Sequence, residues 1–149
     1  NFIINDTKLD PFYRHLEKLG LIVLFHTGFD PAFAYKRIAD PVKVADLKER
    51  FPDLIFIASH FGGWEDWKEA KTHVIGKEIY IDISSSLGNS EMHNPKDLLL
   101  AHPKGYILFG SDSPWTEQKK AVKQLKDLEL DTELEQDILY KNAERLLAL

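Results

Sequence analysis

Leu54-Ile-Phe-Ile-Ala-Ser-His60 is an apolar run without alternation that ends on a hydroxyl residue and an imidazole. A short run of mostly β-branched and aromatic residues with no period of two reads as a strand buried on both faces. Three more runs share this form: Leu21-Ile-Val-Leu-Phe-His26, Ile79-Tyr-Ile-Asp-Ile-Ser84 and Tyr106-Ile-Leu-Phe-Gly-Ser-Asp112. Parallel strands of a β/α barrel are of this kind, and the C-terminal ends of such strands carry the chemistry. Here those ends hold His26, His60, Ser84 and Asp112, spaced 34, 24 and 28 residues apart. Two imidazoles and a carboxylate at equivalent places on neighbouring strands form the donor set of a hydrolytic metal site.

Between the strands the pattern turns helical. Pro11 to Leu19 places Phe12, Leu16 and Leu19 on one face, and Gly20 supplies the stop. Asp40-Pro41 reads as an N-cap followed by a first-turn proline, with Val42, Ala45 and Leu47 continuing a helix to about Arg50. Further helices are expected over Glu65 to Val74, Pro95 to Leu100, Glu117 to Leu128 and Thr132 to the end. In the last, Leu134, Ile138, Leu139, Ala143, Leu146 and Leu147 make one apolar stripe, and Asp131-Thr132 with Glu135 is a capping-box signature. A helix followed by four strand-to-helix units of about 30 residues predicts an α/β fold of barrel type. The competitor is a doubly wound open sheet. It would place a glycine-rich phosphate loop after its first strand, and His26-Thr-Gly-Phe-Asp-Pro31 is not one. A closed barrel typically takes about 250 residues, so four units make half of one.

Composition sets mild bounds. A formal charge of -5 over 149 residues argues against nucleic acid or an anionic membrane as partner. No apolar stretch approaches the roughly 20 residues that span a bilayer, and no signal-peptide pattern opens the chain, which fits a cytoplasmic protein. Cysteine is absent, so disulfides are excluded and any metal must be held by nitrogen and oxygen. The opening Asn1-Phe-Ile-Ile-Asn-Asp6 has the look of a loop interior, as processing or truncation would leave.

His26-Thr-Gly28, Ser59-His60-Phe-Gly-Gly63 and Phe109-Gly-Ser-Asp-Ser-Pro114, in this order, resemble the amidohydrolase superfamily. The nearest branch is that of the amidohydrolase-related proteins, which include metal-dependent hydrolases and nonoxidative decarboxylases. The closing Leu139-Tyr-Lys-Asn-Ala-Glu-Arg-Leu-Leu147 is similar to that branch's terminal helix. The resemblance implies that residues 1–149 are the C-terminal portion of one TIM-barrel domain: strands 5 to 8 of the (β/α)8 barrel with their helices. It makes His26 the strand 5 metal ligand. His60 becomes the strand 6 histidine, which binds a second metal or contacts substrate and water. Asp112 becomes the strand 8 aspartate, a ligand that also shuttles a proton. The implied cofactor is a divalent ion, zinc first, with manganese or iron as alternatives. The family's His-x-His pair from strand 1 has no counterpart anywhere in this chain. The N-terminal half of the barrel is therefore expected from elsewhere, either upstream residues or a second copy in a homo-oligomer.

The implied reaction is cleavage of a C–N or C–O bond of a small molecule by an activated water. Nonoxidative decarboxylation of an aromatic or unsaturated acid is the alternative on the same ligands, and a noncatalytic fragment or binding module is the third reading. Catalysis is expected from Asp112, as proton shuttle, and from His60, as donor to a developing oxyanion. Trp64 and Trp115 are candidate walls of an apolar substrate pocket, and Trp67 is a packing residue. His93, in the loop from Gly88 to Pro95, is a candidate substrate contact. His15, His73 and His102 are expected on helix surfaces, as is Arg145. Asp82 is expected to make structural hydrogen bonds. Ser84 and Ser85 are expected to cap a loop or to reach a ligand, and Gly62-Gly63 to permit a tight turn or close approach.

Overall fold

A computed structural model describes residues 2–33 and 36–149. Four short strands, β1 (Val23–Phe25), β2 (Phe56–Ala58), β3 (Tyr80–Asp82) and β4 (Ile107–Leu108), form one sheet. All neighbours are parallel and the spatial order is β1-β2-β3-β4. A doubly wound sheet reverses its strand order at a switch point. Here each strand adds beside its predecessor with no reversal, as in β/α barrels.

Helices α1 (Asp10–Lys18), α2 (Pro41–Arg50), α3 (Trp67–His73), α4 (Pro95–Ala101) and α5 (Gln118–Lys126) precede or follow the strands. The chain ends in α6 (Thr132–Gln136), a π-helical turn over Asp137–Lys141 and α7 (Asn142–Leu147). The core cluster joins Phe56, Ala58, Ile81, Ile83 and Ile107 to Val44, Leu47, Val74, Leu99, Leu125, Leu134 and Ile138, with Val23 and Phe25 packed against it. One face of the sheet is thus covered by helices. Strand partners share a face, so Leu24, Ile57 and Tyr80 lie on the other. The expectation of burial on both faces fails for β1: Leu24 is 63% exposed, and Ile55 on the same face of the next run is also exposed.

Each strand is shorter than its apolar run because the chain leaves the ladder early to build loops. His60, Phe61 and Gly62 all have left-handed backbone, at φ 59°, 56° and 75°, which ends the strand reading of Ala58-Ser-His60. Left-handed Glu65 delays α3 to Trp67. Asp40 caps α2 as expected, its Oδ1 accepting from Lys43 N at 3.1 Å. Val42, however, is exposed, and Val44 takes the buried place beside Ala45 and Leu47. On α1 the buried residue is Tyr13, whose hydroxyl donates to the Ile4 carbonyl at 2.7 Å, while Phe12 and Leu19 face outward. Asp131, not Thr132, caps α6, accepting from Leu134 N at 2.9 Å.

The C-terminal stripe is also rearranged. Leu134, Ile138 and Asn142 are the buried row, and Leu147 is exposed. Asn142 takes a core position because its Nδ2 donates to the carbonyls of Lys104 and Ile107, both at 2.7 Å, at the start of β4. No helix among the described residues is long and apolar enough to cross a membrane.

Candidate metal-binding active site

The loops that follow β1 and β2 are tied together by the small residues of both motifs. The Thr27 hydroxyl, fully buried, donates to the Ser59 carbonyl, and Trp64 N donates to the Thr27 carbonyl at 2.8 Å. Phe29 N returns a bond to Trp64 O, also at 2.8 Å. Gly28 sits between them at φ +93°, where a Cβ would lie 2.2 Å from Trp64 N. Only glycine permits that backbone approach. The sequence His-Thr-Gly thereby fixes how the β1 end meets the β2 end.

This places the two imidazoles against each other. His26 Nδ1 and His60 Nε2 are 3.1 Å apart, with the rings near edge-to-face at 62°. The outer nitrogens are committed. His26 Nε2 is 3.0 Å from the Phe29 carbonyl, and His60 Nδ1 is 2.9 Å from the Ser84 carbonyl. A carbonyl only accepts, so both of these nitrogens carry the hydrogen. In neutral rings the facing atoms are then both bare, and two lone pairs meet at 3.1 Å. They repel unless a shared proton or a metal ion stands with them. Two imidazole nitrogens on one divalent ion, each about 2.0–2.1 Å from it, lie roughly 3 Å apart at ordinary coordination angles. The pair therefore fits a metal ion.

Asp82 is buried behind His60 and supports it. Its Oδ1 accepts from His60 N at 3.1 Å and Ser84 N at 2.9 Å, and also takes the Ser84 hydroxyl. The Ser84 oxygen is in turn 3.0 Å from His60 Nδ1. The structural reading of Asp82 thus acquires a purpose, since it holds the left-handed backbone from which His60 projects. The adjacent Ser85 reaches elsewhere: its hydroxyl donates to Asp112 Oδ2 at 3.0 Å.

A cavity of about 660 Å³ collects these groups, with His26, His60 and Asp112 on its wall beside Trp64 and Trp115. Trp64 stands edge-on to His60, and Trp115 is 84% exposed at the rim. Among the described residues no three His, Asp or Glu side chains converge tightly enough to hold an ion by themselves. The chain supplies a paired imidazole and a nearby carboxylate rather than a closed ligand set. His93 is not in this cavity. It lines a separate recess with Lys68, Lys71, Glu91 and Asp97.

Asp30 and Thr116 line the site cavity and were not legible as site residues. The only sequence signal for Asp30 is its place four residues past His26. Of the histidines expected at the surface, His15 is exposed and His73 half-buried, but His102 is buried. It bridges the Ile79 carbonyl and Gly76 N, at 3.0 and 3.3 Å, and burial pushes its pKa down to about 4 against the opposing pull of the Ile79 bond.

The amidohydrolase family profile matches residues 3–149. The chain belongs to the amidohydrolase family. An uncharacterized TIM-barrel protein from Bordetella bronchiseptica is 26% identical to this amidohydrolase, with a TM-score of 0.81 over 99% of this chain and 52% of its own. A dihydroxybenzoic acid decarboxylase from Polaromonas sp. JS666, solved with bound manganese and 2-nitroresorcinol, is 15% identical with a TM-score of 0.72, covering 99% and 55%. A 5-carboxyvanillate decarboxylase from Sphingomonas paucimobilis gives 13% and 0.67, again covering 99% and 55%. The last two likenesses concern the fold alone. The chain spans about half the length of these solved relatives. No curated protein matches it.

Proposed function

We propose that this amidohydrolase chain is the C-terminal half of a (β/α)8 barrel, strands 5 to 8, of a metal-dependent hydrolase that cleaves a C–N or C–O bond of a small molecule. The observation that carries the reading is the pair of facing imidazole nitrogens 3.1 Å apart on the wall of a cavity that also holds Asp112. His26, His60 and Asp112 would hold a divalent ion, zinc or manganese, together with ligands from the rest of the barrel. Such an ion supplies Lewis acidity, which makes water a competent nucleophile near neutral pH.

The chain's own residues do the remaining work. Asp112 has one oxygen held by Ser85, and the other is available to take a proton from the attacking water and return it to the leaving group. His60 spends its Nδ1–H on Ser84, so Nε2 is an acceptor in the neutral ring. It donates to a developing oxyanion only when doubly protonated. Ligation or proton acceptance is therefore its assignment here, in place of the donor role expected from its position alone. Trp64 and Trp115 would wall the apolar part of the substrate.

Nonoxidative decarboxylation is the second reading, favoured by those aromatic walls and by the fold shared with two decarboxylases. The missing four strands and further ligands would come from a barrel half outside these 149 residues. Elemental analysis of the intact barrel protein after dialysis tests the site. About one divalent ion per barrel is expected, and stoichiometric metal persisting in a His26→Ala, Asp112→Ala double variant would overturn the assignment.

A further inference from the structure

Ser84 and Ser85 are neighbours in sequence, yet they serve opposite sides of the site. Ser84 is buried and completes the His60–Asp82 network. Ser85 takes left-handed backbone, at φ 52°, which turns its side chain the other way. That conformation is unfavourable for a residue with a Cβ, and glycine would adopt it freely. A non-glycine residue held there at the wall of a reaction cavity points to a side chain that is needed.

The hydrogen bonds say what for. Asp112 Oδ2 is 3.0 Å from the Ser85 oxygen, and an ionised carboxylate only accepts, so Ser85 donates to it. The Ser85 hydroxyl has one hydrogen, now spent. Its contact with Thr116 Oγ1 at 3.2 Å therefore runs the other way, with Thr116 donating to Ser85. The result is a directed chain of hydroxyls, Thr116 to Ser85 to Asp112. Thr116 is fixed in turn, because its backbone N–H and that of Trp115 both reach the Asp112 carbonyl, at 3.4 and 2.9 Å. Asp112 itself is left-handed, at φ 60°, so the carboxylate is aimed from both ends of a tight loop.

We infer that Ser85, fed by Thr116, is a positioning residue for Asp112: it pins Oδ2 and fixes the orientation in which the carboxylate, through Oδ1, would serve the site. This rests on the metal-site reading above. Groups that orient a ligand in this way typically change metal affinity 10- to 100-fold when removed.

The test uses the intact barrel protein with Mn²⁺ as probe, reading the dissociation constant by electron paramagnetic resonance and the thermal midpoint of the metal-free protein. Ser85→Gly removes the donor and relieves the backbone. It is expected to bind Mn²⁺ about 10-fold or more weakly while its midpoint holds or rises. A merely structural serine would lose Mn²⁺ affinity and thermal midpoint together. Thr116→Val, which keeps the side-chain shape, is expected to weaken Mn²⁺ in the same direction by a smaller factor. If the wild type binds Mn²⁺ and both variants bind within twofold of it, the positioning role is overturned and the site stands. If the wild type takes up no Mn²⁺, the metal reading falls and this assignment falls with it.

Discussion

Asp82 accepts the backbone N–H of His60 at 3.1 Å, across neighbouring strands, with both residues buried. The imidazole proposed for the site is thus held through its main chain by a carboxylate that does not line the cavity. Removing that carboxylate leaves three donors without a partner: His60 N, Ser84 N and the Ser84 hydroxyl. Asp82→Ala should cost about 3 kcal/mol in urea unfolding, since buried donors left unmade are expensive. Asp82→Asn keeps an accepting oxygen and should cost about 1 kcal/mol. Equal losses in the two variants would mean that charge, not acceptance, holds the loop.

At the cavity wall, Asp112→Asn should nearly abolish turnover even where metal remains, because an amide cannot take a proton from water. His60→Ala should lower kcat by about 10²–10⁴ if the ring accepts a proton or a ligand bond. His15→Gln, on an exposed helix surface, should leave kcat unchanged. Near-wild-type rates for Asp112→Asn, measured on the intact barrel, would remove the mechanism proposed here.

Gly28 makes a different kind of prediction, because its cost is steric. Alanine there would place a Cβ 2.2 Å from Trp64 N and 2.3 Å from Trp64 O, both main-chain atoms that cannot turn aside. Gly28→Ala should lose about 3 kcal/mol or more and part the His26 and His60 loops, so bound metal should fall with stability. Gly20→Ala has open space around it and should cost only the strain of its positive φ. Thermal midpoints of the two variants separate these effects.

His102 predicts an acid-labile fold. Its pKa is lowered from 6.5 to about 4 by burial, so the unfolded chain binds its proton more tightly than the folded one. The stabilising contribution is complete above about pH 6.5 and disappears as pH falls from there towards 4. The full loss is about 3 kcal/mol. His102→Gln should be less stable than wild type at pH 7 but show a shallower decline between pH 6.5 and 4. Parallel pH profiles from chemical denaturation would dismiss His102 as the titrating group.

How much of this was legible follows from where the information resides. Four apolar runs gave the strands, and their end residues brought His26, His60 and Asp112 to one cavity, because strand ends in a parallel sheet are neighbours by geometry. The turns beyond the strands were not legible. Left-handed His60, Ser85 and Asp112 make tertiary hydrogen bonds that no local propensity encodes. His102 looked like a surface residue because its neighbours on the helix are mixed, while its partners, Ile79 and Gly76, lie more than 20 residues away. Asn142 broke an apolar stripe for the same reason.

That position gives a direct test of polar satisfaction against apolar patterning. Asn142→Leu would complete the apolar row with Leu134 and Ile138, yet it strips the donor from the Lys104 and Ile107 carbonyls. We expect a loss of about 2 kcal/mol, with urea unfolding as the measurement. A stabilised variant would show that water can replace the amide at the start of β4.

The face of the sheet that carries Leu24 and Ile55 makes the last prediction. β1 and β4 are the sheet's edges, each without a strand partner on one side among the described residues, and Leu24 on β1 and Ile55 just before β2 are exposed. Open apolar edges template pairing with other chains, and exposed apolar patches favour association. In an intact barrel this face is the interior, so the missing strands would cover it. Isolated residues 1–149 should therefore associate or bind hydrophobic dye, and adding the other barrel half should return them to a single defined species. In the intact barrel Leu24→Glu should destabilise by about 3 kcal/mol, because it buries an unpaired charge. Sedimentation with mass spectrometry of the same sample decides the first point. A soluble 17.2 kDa monomer that binds no dye would mean that the face needs no cover, and the half-barrel reading would have to be abandoned.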